Sequence, residues 1–301
     1  MKNINIIGNK NLYFIISAIV IVPGLISLFL FGLNLSIDFT GGSRIEYQIS
    51  NIKDQKEFNK VINDQNVNLV SVKKSSNNLY TLRTNIIDQK KYKQITESIK
   101  KKYGNVKELS FETVGPVIGS ETKNNALKAV LVASVVITLY IAFVFRQVSK
   151  PVASWKFGIA AIIALLHDIL IVIGIFSLLG HFFKVEVDSL FITALLTVMG
   201  FSVHDTIVVF DRIRENLKKN ISFSFEEVVN NSILETFNRS LNTSLTVALV
   251  LVSLIVFGGE SIRWFIAALL IGIISGTYSS IFSASPILVV WHEFDKKRNK
   301  A

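Results

Sequence analysis

Six stretches of this 301-residue chain are apolar for long enough to cross a hydrocarbon layer: Leu12–Leu33, Ala126–Phe145, Phe157–Leu179, Leu190–Phe210, Leu241–Phe257 and Trp264–Val290. A bilayer core takes roughly 20 residues of helix. In lipid every backbone N–H and C=O must be satisfied inside the segment, and a helix does this alone. The expected class is therefore a polytopic α-helical membrane protein with six transmembrane helices. The first stretch is too long for a cleaved signal-peptide core, which runs about 7–15 residues, and no small-residue cleavage pattern follows it. We read it as a retained helix. The chain has no cysteine, which excludes disulfides, thiolate metal sites and thiol nucleophiles. Neither a cofactor nor a metal site is expected.

Charge predicts orientation. The net charge is +10, and the basic residues gather on alternate sides of the spans. Lys2 and Lys10 precede the first. Arg146, Lys150 and Lys156 lie between the second and third. Arg212, Arg214, Lys218, Lys219 and Arg239 lie between the fourth and fifth, and Lys296, Lys297, Arg298 and Lys300 follow the sixth. The other short loops carry only Lys184 and Arg263. The positive-inside bias then puts both termini in the cytoplasm. The chain divides into residues 1–33 (cytoplasmic N-terminus and first span), 34–125 (an extracytoplasmic domain), 126–290 (spans two to six) and 291–301 (a basic cytoplasmic tail).

Residues 34–125 alternate and repeat as a folded domain does. Ser43–Ser50, Val67–Lys74, Leu79–Thr84 and Val106–Val114 read as strands, Asp54–Asp64 and Asp88–Tyr103 as helices, and Ser75–Asn78 as a hairpin turn. The order βαββαβ predicts a ferredoxin-like α+β arrangement. Lys100–Lys102 reads as the solvated end of a helix, favoured by the negative C-terminal dipole. No aromatic interleaving accompanies it, so nucleic acid is not an expected partner.

The chemistry is expected around Asp205. It falls well inside the fourth span, where a carboxylate costs roughly 2.5–3.5 kcal/mol on insertion scales. Such a residue faces a protein partner or a wet cavity, and marks a functional site by default. Ser202 and Val209 share its helix face, while His204 points about 100° away. Asp211 and Arg212 close the span, as interface anchors or as relay support. Arg239, at the polar start of the fifth span, is the expected counter-charge, with Asn242, Thr243, Ser244 and Thr246 extending its polar face. His167 and Asp168 lie deep in the third span. They either join a relay with Asp205 or satisfy each other and pin helices together. A titratable acid beside a movable cation is a minimal proton-coupled switch: ionised, it holds the arginine; protonated, it releases it. Gly272, Gly276 and Ser280 make a small-xxx-small packing seam, and Pro23–Gly24 is a place for the first helix to bend.

Five motifs occur together: D-F-T-G-G at Asp38–Gly42, T-V-G-P at Thr113–Pro116, H-D at His167–Asp168, D-T-I-V-V-F-D-R-I-R-E-N at Asp205–Asn216 and N-R-S-L-N-T-S at Asn238–Ser244. With six spans and one external domain, they closely resemble the SecD/SecF family of bacterial protein export, within the resistance-nodulation-division (RND) superfamily. The resemblance covers nearly the whole chain. It implies an RND-type bundle half, a SecD partner, the SecYEG channel and YajC, and an unfolded polypeptide as client in the bacterial inner membrane. It implies use of the proton-motive force to help polypeptides leave the channel, with no hydrolytic or redox active site. The family's span-four aspartate falls on Asp205 and its span-five arginine on Arg239. Asp38, Gly41 and Gly42 match a motif linking the first helix to the external domain, with a hinge role implied for the glycines. The chain departs from the family pattern at His204, where Asn is expected, and at Phe201, where Tyr is expected. The alternatives are a small-molecule exporter subunit, a structural scaffold, and an aspartyl protease built on Asp168 and Asp205. The last would need two carboxylates sharing a proton at close range.

Overall fold

The computed structural model describes residues 5–50, 52, 54–74, 78–145, 152–219 and 222–298. Lys2, Arg146, Lys150, Lys300 and all but the last residue of the expected Ser75–Asn78 turn lie outside these. In chain order the elements are α1 (Lys10–Phe31), α2 (Ile37–Thr40), β1 (Gly42–Ile49), α3 (Gln55–Asn63), β2 (Leu69–Lys74), β3 (Leu79–Thr84), α4 (Gln89–Tyr103), β4 (Val106–Val114), α5 (Pro116–Val144), α6 (Ser154–Phe183), α7 (Ser189–Lys219), α8 (Phe225–Phe257), α9 (Arg263–Ser279) and α10 (Ser285–Arg298). They form two compact units. One is Met1–Leu33, Lys128–Val185 and Leu190–Ala301; the other is Asn34–Leu127 with Glu186–Ser189.

The smaller unit holds a four-stranded sheet of order β2-β3-β1-β4, with every neighbouring pair antiparallel. This is the split βαβ arrangement, in which each helix carries the chain across an intervening strand. Alternation along β1 and β3 sends Ile45, Tyr47, Ile49, Tyr80 and Leu82 to one face, where they are buried against Phe58 and Ile62 of α3 and Ile95 and Ile99 of α4. Asp54 and Asp88 begin the two helices as N-caps, accepting from the backbone N–H of Lys56 and Lys91. Lys100–Lys102 occupy the last turn of α4.

Among the described residues, six helices are long and apolar enough to cross a membrane. Packing ranks the spans: 61%, 50% and 61% of the apolar windows of α6, α7 and the last span are buried, against 17%, 6% and 17% for α1, α5 and α8. The first three form the centre. Gly24 of α1 and Gly174 of α6 bring their helices together so closely that a Cβ on either would lie 2.8 Å from the other's Cα. α1 runs on through Pro23 without interruption.

Two elements differ from expectation. Helix α8 begins at Phe225, so most of the expected loop between spans four and five is helical. Its start is a capping box, with Ser224 and Glu227 bonded reciprocally. The amphipathic first turns bury Val228, Val229, Ser232, Ile233, Thr236 and Ser240, a helical period that average hydropathy passes over because the opposite face is polar. The last span is also broken. Between α9 and α10 the turn Ser280–Ala284 is π-helical. Pro286 has no N–H to direct at the Phe282 carbonyl and its ring would crowd that carbonyl. The wider turn relieves this, and the Ser285 hydroxyl donates to the Ser280 carbonyl at 3.2 Å. Single π-turns of this kind gather at functional sites.

Candidate functional site

Two carboxylates lie buried among the membrane helices, each held by hydroxyls. Asp168 of α6 is fully buried. Its Oδ1 accepts from Ser275 at 2.6 Å and lies 3.0 Å from His167 Nδ1. Its Oδ2 accepts from Ser202 at 2.5 Å and Ser279 at 2.7 Å. His167 Nε2 continues to the Ser17 hydroxyl of α1 at 2.9 Å. One residue thus ties α6 to α7 and α9, and through its histidine to α1. Asp205 of α7, also buried, accepts from Ser240 of α8 at 2.8 Å on Oδ1 and from Ser280 at 2.9 Å on Oδ2.

The two sites share parts. Ser279 donates to Asp168 and the next residue, Ser280, to Asp205, where the π-turn begins. Ser202, which donates to Asp168, is three residues from Asp205 on one face of α7. A hydroxyl both donates and accepts. The same two serines can therefore donate to a charged Asp205, or one of them can accept from a protonated Asp205. His167 and Asp168 lie within hydrogen-bond distance of each other and bond to neighbouring helices.

Arg239 does not make the expected pairing. It is exposed, and no ion pair joins it to Asp205 among the described residues. The reason is helical phase. Ser232, Thr236, Ser240 and Ser244 recur every four residues and form the buried face of α8. Arg239 is one residue off that face and so is turned away by about 100°. Nor does it sit at a helix entrance, because α8 has already run from Phe225. His204 and Thr243 are exposed too, and Thr243 donates to the Arg239 carbonyl at 2.9 Å. Asp211 and Arg212 belong to a separate polar cluster. Asp211 pairs with Arg214 at 2.7 Å, and Arg212 with Glu215 at 2.6 Å and Glu235 at 2.5 Å.

The packing seam faces α7. A Cβ on Gly272 would fall 2.2 Å from Val198 Cγ2, and one on Gly276 would lie 3.1 Å from Ser202 Cβ. The third seam residue, Ser280, serves Asp205. Gly41 and Gly42 have φ of +72° and +123°, conformations that favour glycine. They are packed, though: a Cβ on Gly42 would lie 2.8 Å from the Thr84 carbonyl oxygen, and one on Gly41 3.1 Å from Pro116 Cα. Both glycines of this turn are closely packed.

Ser17, Ser240, Ser275 and Ser279 carry these networks and were not singled out as site residues from sequence. The signal was present as serines at helical spacing in otherwise apolar spans. In the smaller unit, Glu186 is pushed above the usual carboxylate range by burial, opposed by Arg83 and Arg44. Among the described residues no group of three or more His, Cys, Asp or Glu could hold a metal ion.

The family described as "Protein export membrane protein SecD/SecF, C-terminal" matches residues 94–294, and the "SecD/SecF GG Motif" matches residues 26–51. The chain is 46% identical to protein translocase subunit SecF of Thermobaculum terrenum, over 97% of this chain and 95% of that one. It is 38% identical to protein translocase subunit SecDF of Bacillus subtilis, over 98% of its own length but only 39% of the relative's. Among solved structures, SecDF from Thermus thermophilus, a translocon-associated membrane protein, aligns with a TM-score of 0.84 at 32% identity, covering 96% of this chain and 39% of that one. SecDF in a super-membrane-facing form aligns with a TM-score of 0.71 over 99% of this chain and 40% of that one.

Proposed function

Because the chain belongs to the SecD/SecF family of protein export membrane proteins, on its SecF side, we propose that it couples proton binding at Asp205 to the late stage of polypeptide export. The observation that carries this reading is the environment of Asp205: a buried acid in a membrane helix, held by two hydroxyls, with a cation next along the chain from one of them. Consecutive Cα atoms are about 3.8 Å apart, and an arginine side chain is longer than that. On this reading the Arg239 side chain swings around its own helix and takes the place of Ser240 at Asp205. The acid held by the two serines is then one state of the switch, and the ionised acid with arginine bound is the other. A proton driven through the site brings the energy, since one charge crossing 100 mV is worth about 2.3 kcal/mol.

The exposed polar residues His204, Arg239 and Thr243 would be costly against lipid. This supports a second membrane chain covering them. SecDF relatives, of which this chain spans 39%, point to a SecD chain as that partner. On this reading the complex works at the SecYEG channel with YajC in the bacterial inner membrane, both termini cytoplasmic, on unfolded polypeptides. The test is Asp205→Asn in membrane vesicles carrying the chain with its SecD partner. Proton-gradient-dependent export is expected to disappear while the protein accumulates normally. Full gradient-dependent export by the variant would show that the chain is a scaffold instead.

A further inference from the structure

One carboxylate outside the paired sites is spent on a helix end. Asp38, in the D-F-T-G-G turn, accepts on Oδ2 from the backbone N–H of Ser189 at 2.9 Å and from its hydroxyl at 2.7 Å. Ser189 is the first residue of α7, the helix that carries Asp205. The sixteen helical steps from Ser189 to Asp205 span about 24 Å at 1.5 Å per residue. The first N–H groups of a helix have no partner within it, and the helix N-terminus is the positive end of its dipole. A carboxylate there satisfies the helix and grips it.

The turn that presents Asp38 is itself fixed to the sheet of the smaller unit. Arg83 of β3 donates to the Leu35 carbonyl at 2.9 Å and to the Thr40 hydroxyl at 2.5 Å, and pairs with Glu186 at 3.4 Å. The Ser36 N–H donates to the Val187 carbonyl at 2.9 Å, and the Val187 N–H to the Asn34 carbonyl at 2.8 Å. A Cβ on Gly119 would lie 2.9 Å from the Gly41 nitrogen. All of these residues belong to the smaller unit. Through Arg83 the turn that holds Ser189 is bonded to the sheet of the same unit.

We propose that Asp38 is the coupling residue of the protein: it holds the first residue of the proton-carrying helix to the βαββαβ domain and so delivers displacement of α7 to that domain. Asp38 touches no proton in this scheme; it is a positioning residue. The proposal rests on the proton-driven reading above, and two quantities separate the two. In vesicles carrying the full chain with its SecD partner, proton uptake and gradient-dependent export are measured together. Asp38→Ala is expected to leave abundance and proton uptake unchanged and to lower export roughly tenfold, the scale of one lost hydrogen bond to a charged group. Ser189→Pro reaches the same point from the other side. Proline is well accommodated at the first helical position, yet it removes both donors to Asp38, and the same split is expected. Ser189→Ala keeps the backbone donor and should lie between. The proposal is overturned if Asp38→Ala exports as the unaltered protein does, or if uptake and export fall together. Failure of the underlying reading looks different: Asp205→Asn would then retain both.

Discussion

Removing the Asp168 carboxylate tests the site most directly, because four donors converge on it. In Asp168→Leu the side chains of Ser202, Ser275, Ser279 and His167 all lose their acceptor. Hydrogen bonds between membrane helices are worth about 0.6 kcal/mol on average and about 1.7 at most, so the three serine bonds from α7 and α9 give roughly 2 to 5 kcal/mol. Serine hydroxyls can turn back to carbonyls of their own helices, and Ser279 already lies 3.2 Å from the Gly276 carbonyl. The lower half of the range is therefore expected, about 3 kcal/mol. Asp168→Asn keeps one acceptor oxygen, and its amide can donate to a serine that has turned, so it should cost about 1 kcal/mol. Ser202→Ala should cost a similar amount. The assay is reversible unfolding of the purified protein in mixed micelles, comparing midpoints at constant slope. A Leu variant no less stable than Ser202→Ala would refute the idea that Asp168 joins the helices.

At the α1–α6 crossing, Gly24→Leu should destabilise the bundle by more than the roughly 1–3 kcal/mol of ordinary overpacking, because the obstructing atom is backbone. Gly200→Ala, where a Cβ meets nothing within 4 Å, should be neutral in the same unfolding assay. In the βαββαβ domain, the Tyr92 hydroxyl donates to Glu108 at 2.5 Å. Burial and that bond push Tyr92 up to about 12, while hydrogen bonds from Lys100 and then Tyr92 hold Glu108 below the usual carboxylate range. The Tyr92 contribution to stability should be intact below the ordinary tyrosine value of about 10 and lost as pH rises through the folded value of about 12. That of Glu108 should be intact above the ordinary glutamate value of about 4.3 and lost as pH falls through its depressed folded value. Tyrosinate absorbance against pH, with Tyr92→Phe as reference, checks the first; an ordinary titration of Tyr92 near 10 would contradict it.

The six spans and the βαββαβ domain were legible because both follow from local pattern. A run of apolar residues as long as the bilayer is thick has one stable form, and alternation of two against a period near four separates strand from helix. Asp168 and Asp205 were legible for a related reason, since a charge has no place in an apolar run without a use. The start of α8 was written in the sequence as a capping box and an amphipathic face, but it was masked by its polar side when hydropathy alone marked the helix.

What tertiary structure decided is which side chains meet. Asp168 bonds to partners 34, 107 and 111 residues away, and Asp205 to partners 35 and 75 residues away; no local pattern encodes such pairings. Each depends on the rotation of one helix against another, and at 100° per residue an error of one position turns a side chain from the core to the outside. That single step separates Ser240, which holds Asp205, from Arg239, which is exposed. The chain's own residues thus prescribed where the helices lie and that they carry acids. The packing of glycines and serines between helices settled how those helices are turned, and so what the acids hold.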